Sequence, residues 1–162
     1  MEQAVLAAGC FWGIEAAFKR VPGVRSTEVG YTGGATESPS YQQVCTGTTG
    51  HAEAVKITFD PSRVSFGELL EIFWQIHDPT SMNRQGPDVG TQYRSAIFYA
   101  GDDQRRTAQA SAKAQADALG KPVVTQIAPA SDFYRAEEYH QDYVGKNGEA
   151  ACPVPRFVTK AT

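Results

Sequence analysis

A two-layer α+β sandwich is the fold this sequence predicts: a ferredoxin-like (split βαβ) core with a mixed sheet covered by helices, and an irregular C-terminal tail. Three observations predict it. Apolar residues recur at helical spacing in two segments, short alternating or β-rich runs fill four others, and these six follow the order β-α-β-β-α-β. A chain of 162 residues buries one core and is too short for two full ones. A single domain over residues 1–162 is therefore expected, with 144–162 as its tail.

The apolar run Ala4 to Ala8 reads as the first strand, and Phe11, Ile14, Phe18 and Val21 then repeat at helical spacing up to Pro22-Gly23. Cys10 thus falls where a strand turns into a helix. Val24 to Tyr31 carries enough Val, Thr and Tyr for a second strand. Residues 32–51, dense in Gly, Ser, Thr and Pro, form the longest irregular stretch, and long loops inside compact domains are usually functional or disordered. Ala52 to Phe59 alternates strictly, with Val55, Ile57 and Phe59 on one face and Ala54, Lys56 and Thr58 on the other. Ser65 and Glu68 have capping-box spacing ahead of a helix whose face holds Phe66, Leu69, Leu70, Phe73, Trp74 and His77, and Asp78-Pro79 stops it. After a polar loop, Thr80 to Gln92, a strand is expected over Tyr93 to Ala100. Asp102 then N-caps an Ala-rich helix that ends at Gly120 before Pro122. Val123 to Ala128 reads as a fifth strand and Asp132 to Tyr143 as a short helix.

Composition excludes several classes of function. The net charge is −3, with Lys and Arg scattered, so no basic stripe tracks a phosphate backbone or an anionic membrane. No run reaches the roughly 20 apolar residues of a membrane span, and residues 1–9 lack the pattern of a signal peptide. A soluble, cytoplasmic protein without nucleic-acid or membrane partners is expected. Three widely spaced cysteines, at 10, 45 and 152, suit reactive thiols better than a disulfide framework. There is no CxxC pair, no close His spacing and no glycine-rich phosphate loop, so neither a metal nor a nucleotide is expected.

Cys10 is the leading chemical candidate, because a thiol at the first turn of a helix faces unpaired N–H groups and the positive end of the dipole, both of which favour thiolate. Buried packing is the alternative, since cysteines are among the most often buried residues. Phe11 and Trp12 point about 100° apart on a helix, so one of them is expected to line the Cys10 pocket, where sulfur and methyl groups are attracted to aromatic faces. Plain core packing of both remains open. Glu53 is in phase with Val55, Ile57 and Phe59 and should turn inward. Burial would raise its pKa and let it serve as an acid near neutrality, unless its place at the strand's start lets it reach water. Of the histidines, His77 reads as a satisfied core or helix-end residue, and His51 and His140 lie far from Cys10 in sequence. Tyr31, Tyr41, Tyr93 and Tyr99 are phenols that stay protonated at pH 7, and surface packing accounts for most such residues.

The string Gly9-Cys10-Phe11-Trp12-Gly13 resembles the signature of the peptide methionine sulfoxide reductase A family. Gly30-Tyr31-Thr32-Gly33-Gly34, Gly50-His51-Ala52-Glu53-Ala54-Val55, His77-Asp78-Pro79-Thr80, Gly90-Thr91-Gln92-Tyr93-Arg94-Ser95 and Glu138-Tyr139-His140-Gln141-Asp142-Tyr143 resemble its other blocks, so the likeness spans essentially the whole chain. It implies an oxidoreductase that reduces the S epimer of methionine sulfoxide in oxidised proteins or peptides. Cys10 would be the nucleophile, Phe11 and Trp12 the pair holding the methyl group, and Tyr41, Glu53 and Tyr93 the groups on the sulfoxide oxygen. Asp88 would order water or the thiol. It further implies a Cys10 sulfenic acid, resolved by Cys152 in the tail as a disulfide that thioredoxin reduces, with no cofactor and a monomeric catalytic domain. Cys45 would be a bystander. The rival readings are a thiol peroxidase using the same two thiols, a cysteine hydrolase with His51 or His140 as base, and a non-catalytic binding module of ferredoxin-like shape.

Overall fold

The computed structural model describes residues 1–149 and 154–158, so Cys152 lies outside the described residues. The first half of the chain runs β1 (Glu2–Ala8), α1 (Phe11–Lys19), β2 (Val24–Thr32), α2 (Tyr41–Cys45), β3 (Ala52–Phe59) and α3 (Phe66–Gln75). The second runs β4 (Arg84–Gln85), β5 (Asp88–Val89), a 3-10 turn at Thr91–Tyr93, β6 (Ser95–Tyr99), α4 (Gly101–Leu119), β7 (Gln126–Pro129), β8 (Tyr134–Arg135), a second 3-10 turn at Glu138–His140, and α5 (Tyr143–Asn147).

The main sheet has the order β7-β6-β1-β3-β2-β8. Its middle four strands pair antiparallel, with α1 carrying the chain from β1 over to β2 and α3 from β3 to β6, which is the expected split βαβ plan. The parallel pairing of β6 with β7, joined by α4, makes the sheet mixed. Alternation then sorts the side chains. Leu6 of β1, Val29 of β2, Val55 and Ile57 of β3 and Ile97 of β6 pack with Ile14 and Phe18 of α1, Leu69, Leu70 and Phe73 of α3 and Ala108 of α4. The opposite face is small, lined by Ala7, Ala52, Ala54 and Ala96 around Phe98. There the chain comes very close: a Cβ on Gly30 would lie 2.6 Å from the Phe133 ring and 2.5 Å from the Tyr134 carbonyl oxygen, so β8 seats only against glycine. Leu6, 0% exposed on a central strand, sets the scale of the core. Leu6→Ala is expected to cost about 2 to 5 kcal/mol in a urea unfolding curve.

The Ser65–Glu68 capping box forms as expected, and Gly120 ends α4 in a left-handed conformation at φ 66°. Elsewhere long-range pairing moved the boundaries. The expected helix over Asp132 to Tyr143 is instead β8, a 3-10 turn and the start of α5, because Gly30 and Tyr31 pair with Arg135 and Tyr134, and the Gln141 amide bonds the N–H and carbonyl of Val29. The strand read from Tyr93 begins at Ser95, since Tyr93 closes the 3-10 turn with its N–H on the Gly90 carbonyl. The fifth strand read over Val123 to Ala128 runs instead over Gln126–Pro129. Asp102 lies inside α4 and not at its cap, which is Ala100. The loop of residues 32–51 contains α2, started by a second capping box at Ser40 and Gln43.

Candidate active site

Gly9 turns the end of β1 into α1 with φ 102°, a left-handed conformation natural only to glycine, and a Cβ there would lie 2.9 Å from the Gln85 side chain. Cys10 follows as the N-cap of α1, half-buried, with no cap hydrogen bond from its side chain. The thiol therefore stands where the unpaired N–H groups of the first turn and the helix dipole favour negative charge.

The next peptide reaches a carboxyl. Phe11 N–H donates to Glu53 Oε1 at 3.3 Å, and Glu53 is 1% exposed on the inward face of β3, opposite Tyr31 in the strand register. Burial pushes its pKa from the ordinary 4.5 up to about 8, with the Phe11 N–H pulling it down in part and the charge of Asp88 in β5 adding the smallest contribution, a rise. Glu53 is thus an acid at neutral pH. With Oε1 occupied by an N–H, the proton belongs on Oε2, which is buried and has no partner among the described residues. The half-buried phenols of Tyr41 and Tyr93 are also held protonated, by burial before any other cause.

Aromatic rings build the adjoining wall. Trp12, half-buried, stacks on Tyr143 at 3.9 Å between centroids, and its Nε1–H donates to His140 Nδ1 at 2.9 Å. That acceptor role fixes the neutral His140 tautomer with its proton on Nε2, which is buried without a partner among the described residues. Tyr41 lies 4.4 Å from the same imidazole. Phe11, by contrast, is 1% exposed, beneath this wall between Tyr31 and His140. Glu137 ties the wall to the sheet, accepting from the Tyr31 hydroxyl at 2.9 Å and from Tyr41 N–H at 3.0 Å. Glu15, buried in α1, accepts from Asp142 N–H at 2.8 Å and so holds the His140 segment against the helix that starts at Cys10.

The structure therefore gathers Cys10, Phe11, Trp12, Tyr41 and Glu53 around the start of α1, with Asp88 and Tyr93 linked to the group through the electrostatics of Glu53. His140, weighed on sequence only as a base for the hydrolase reading, belongs to the same wall, as does Glu137, which the sequence did not single out because the segment that carries both is pinned by partners far away in the chain. The hydrolase reading loses one of its bases. His51 donates from Nε2 to the Thr36 carbonyl at 2.6 Å and accepts Gly34 N–H on Nδ1 at 3.0 Å, closing the neck of the long loop. His77 is likewise satisfied, between the Phe73 carbonyl and Ser95 Oγ, and burial lowers its pKa to about 4. Among the described residues no group of three or more His, Cys, Asp or Glu is placed to hold a metal ion, and no helix is long and apolar enough to cross a membrane.

The class that this fold and site define is an oxidoreductase of α+β architecture. A family model described as Peptide methionine sulfoxide reductase matches residues 2–161, and the chain belongs to the peptide methionine sulfoxide reductase A family. It is 54% identical over 160 residues to the peptide methionine sulfoxide reductase MsrA of Methanothermobacter thermautotrophicus, a match covering 98% of this chain and 95% of that one. Among solved structures, Mxr1 from Saccharomyces cerevisiae in its reduced form superimposes with a TM-score of 0.90 at 38% identity, over 96% of this chain and 91% of that one. Mxr1 in complex with Trx2 matches with a TM-score of 0.66 at 23% identity, over 96% and 88% of the two chains, a likeness of fold.

Proposed function

We propose that this protein reduces the S epimer of methionine sulfoxide, in oxidised proteins and peptides and as the free amino acid, to methionine. The observation that carries the reading is the burial of Glu53, which raises its pKa to about 8, beside the peptide that follows Cys10, whose N–H it accepts. Cys10 thiolate attacks the sulfoxide sulfur with the methyl group against Trp12, backed by Phe11. Glu53, Tyr41 and Tyr93 hydrogen-bond the oxygen, and Glu53 protonates it as it leaves the sulfur. The products are methionine and a sulfenic acid on Cys10. Asp88 adds a small charge contribution that helps keep Glu53 protonated.

The sulfenic acid is then attacked by the Cys152 thiol, water leaves, and a Cys10–Cys152 disulfide remains for thioredoxin to reduce by dithiol exchange. Support for thioredoxin comes from the family resemblance and from yeast Mxr1, which forms a complex with Trx2. No prosthetic group enters the cycle. In this reading residues 1–162 act as one catalytic domain with 144–162 as the tail that carries Cys152, working as a cytoplasmic monomer.

Single-turnover chemistry separates the two halves of the scheme. With excess S sulfoxide and no reductant, Cys152→Ser is expected to release one equivalent of methionine per chain, whereas the R epimer gives none. Absence of methionine from the S epimer would overturn the reading.

A further inference from the structure

Trp12 spends its single polar group on His140. The indole Nε1–H donates to His140 Nδ1 at 2.9 Å, and an indole has no other hydrogen-bonding group to place. Tyr143 covers one face of the ring at 3.9 Å between centroids, with the two planes 9° apart. A stack of this kind fixes the plane of a ring but leaves it able to slide and turn within that plane. The N–H···N bond is directional and sits on the indole edge, so it removes the remaining freedom. The acceptor is itself held fast. His140 is 0% exposed, its ring lies 4.1 Å from Tyr139, 4.4 Å from Tyr41 and 5.3 Å from Phe11, and its N–H donates to the Glu137 carbonyl at 2.9 Å. The next two residues are tied to separate elements, the Gln141 amide to Val29 of β2 and the Asp142 N–H to Glu15 of α1. Burial favours the neutral imidazole, against the charge of Glu137, which keeps the Nδ1 lone pair for the indole. The Nε2–H is buried without a partner among the described residues, a cost that an apolar ring at this position would avoid. What the imidazole supplies is the acceptor.

We propose that His140 is the positioning residue for Trp12: by accepting the indole N–H it fixes the ring against which the sulfoxide methyl group rests, and so aims the sulfur at Cys10. This rests on the reading that Trp12 holds the methyl group. Cys10 caps α1 and Trp12 lies in its first turn, so the helix already fixes the two backbones relative to each other and only the side-chain torsions of Trp12 remain to be set. Without the bond the indole keeps its stack on Tyr143 but turns in its plane, and the methyl group and sulfur move with it. A displacement of about 1 Å at a reacting centre costs on the order of a hundredfold in rate.

The test is a double-mutant cycle of His140→Phe and Trp12→Phe, read in single turnover as the second-order rate constant for methionine formation from the S sulfoxide. In the parent background His140→Phe is expected to slow the reaction by about ten- to a hundredfold, whereas beside Trp12→Phe, which has no N–H to hold, it is expected to change the rate by less than about twofold. His140→Asn, whose Oδ1 stands on Cγ where Nδ1 stood, is expected to recover most of the lost rate. In the parent protein, labelled with nitrogen-15, a scalar coupling across the hydrogen bond between Trp12 Nε1 and His140 Nδ1 is expected. No slowing by His140→Phe, falls of equal size in both backgrounds, or the absence of that coupling would overturn the proposal and leave the reductase reading standing. No methionine from the parent protein would overturn both.

Discussion

Glu53→Gln is expected to slow methionine formation from the S sulfoxide by about 10²- to 10⁴-fold, the range a positioned general acid contributes. Gln keeps the size of Glu and can still hydrogen-bond the Phe11 N–H through its carbonyl, but its amide has no proton to give to the departing oxygen. The pH profile carries the sharper signature. The parent's rate should fall as pH rises through about 8, where Glu53 ionises, and the Gln variant should lack that limb. Stability moves in the same window with a definite sign. Because the folded pKa is raised, Glu53 stabilises the fold fully below the ordinary 4.5, and that contribution is lost as pH rises through about 8. The loss above pH 8 is at most about 5 kcal/mol. Urea unfolding at pH 6 and pH 9 should therefore show the parent weakening and Glu53→Gln holding steady. Equal slopes for the two proteins would mean that the carboxyl is not protonated in the fold.

The second large effect is expected at Cys10. Cys10→Ser should lower turnover by at least about 10⁴-fold, comparable to removing the nucleophile from other enzymes that use one. The start of α1 can bias a thiol toward thiolate, but a serine hydroxyl is too weak an acid for the same bias to ionise it. A serine variant that still turns over within a hundredfold of the parent would remove Cys10 from the chemistry.

Much of this site was legible because it depends on local periodicity. Glu53 falls in phase with Val55, Ile57 and Phe59, so a period of two was enough to mark a carboxylate out of place, although both faces of β3 are buried where it begins. Cys10 could be placed because an apolar run stops and a helical spacing starts on either side of it. His140 and Glu137 could not be placed the same way. Their segment is shaped by pairing to β2 and by the Glu15 and Gln141 bonds, whose partners lie more than a hundred residues away and leave no trace in a local window. Phe11 and Trp12 divided as geometry demands, one sealed in the core and the other on the wall, but which went where depended on Tyr143 arriving to stack on Trp12. The Ser40–Gln43 capping box, by contrast, was readable and marks α2 inside a stretch whose composition suggested only loop.

The account stands on a carboxylic acid kept protonated beside the start of α1, and the direct measurement is a carbon-13 titration of the glutamate side-chain carboxyls from pH 4 to 10. Glu53 is assigned by comparison with Glu53→Gln. A resonance that vanishes in that variant and titrates with a midpoint of about 8 is the predicted result. A midpoint near the ordinary 4.5 would contradict the account, because the group would then be an anion at neutral pH with no proton to deliver.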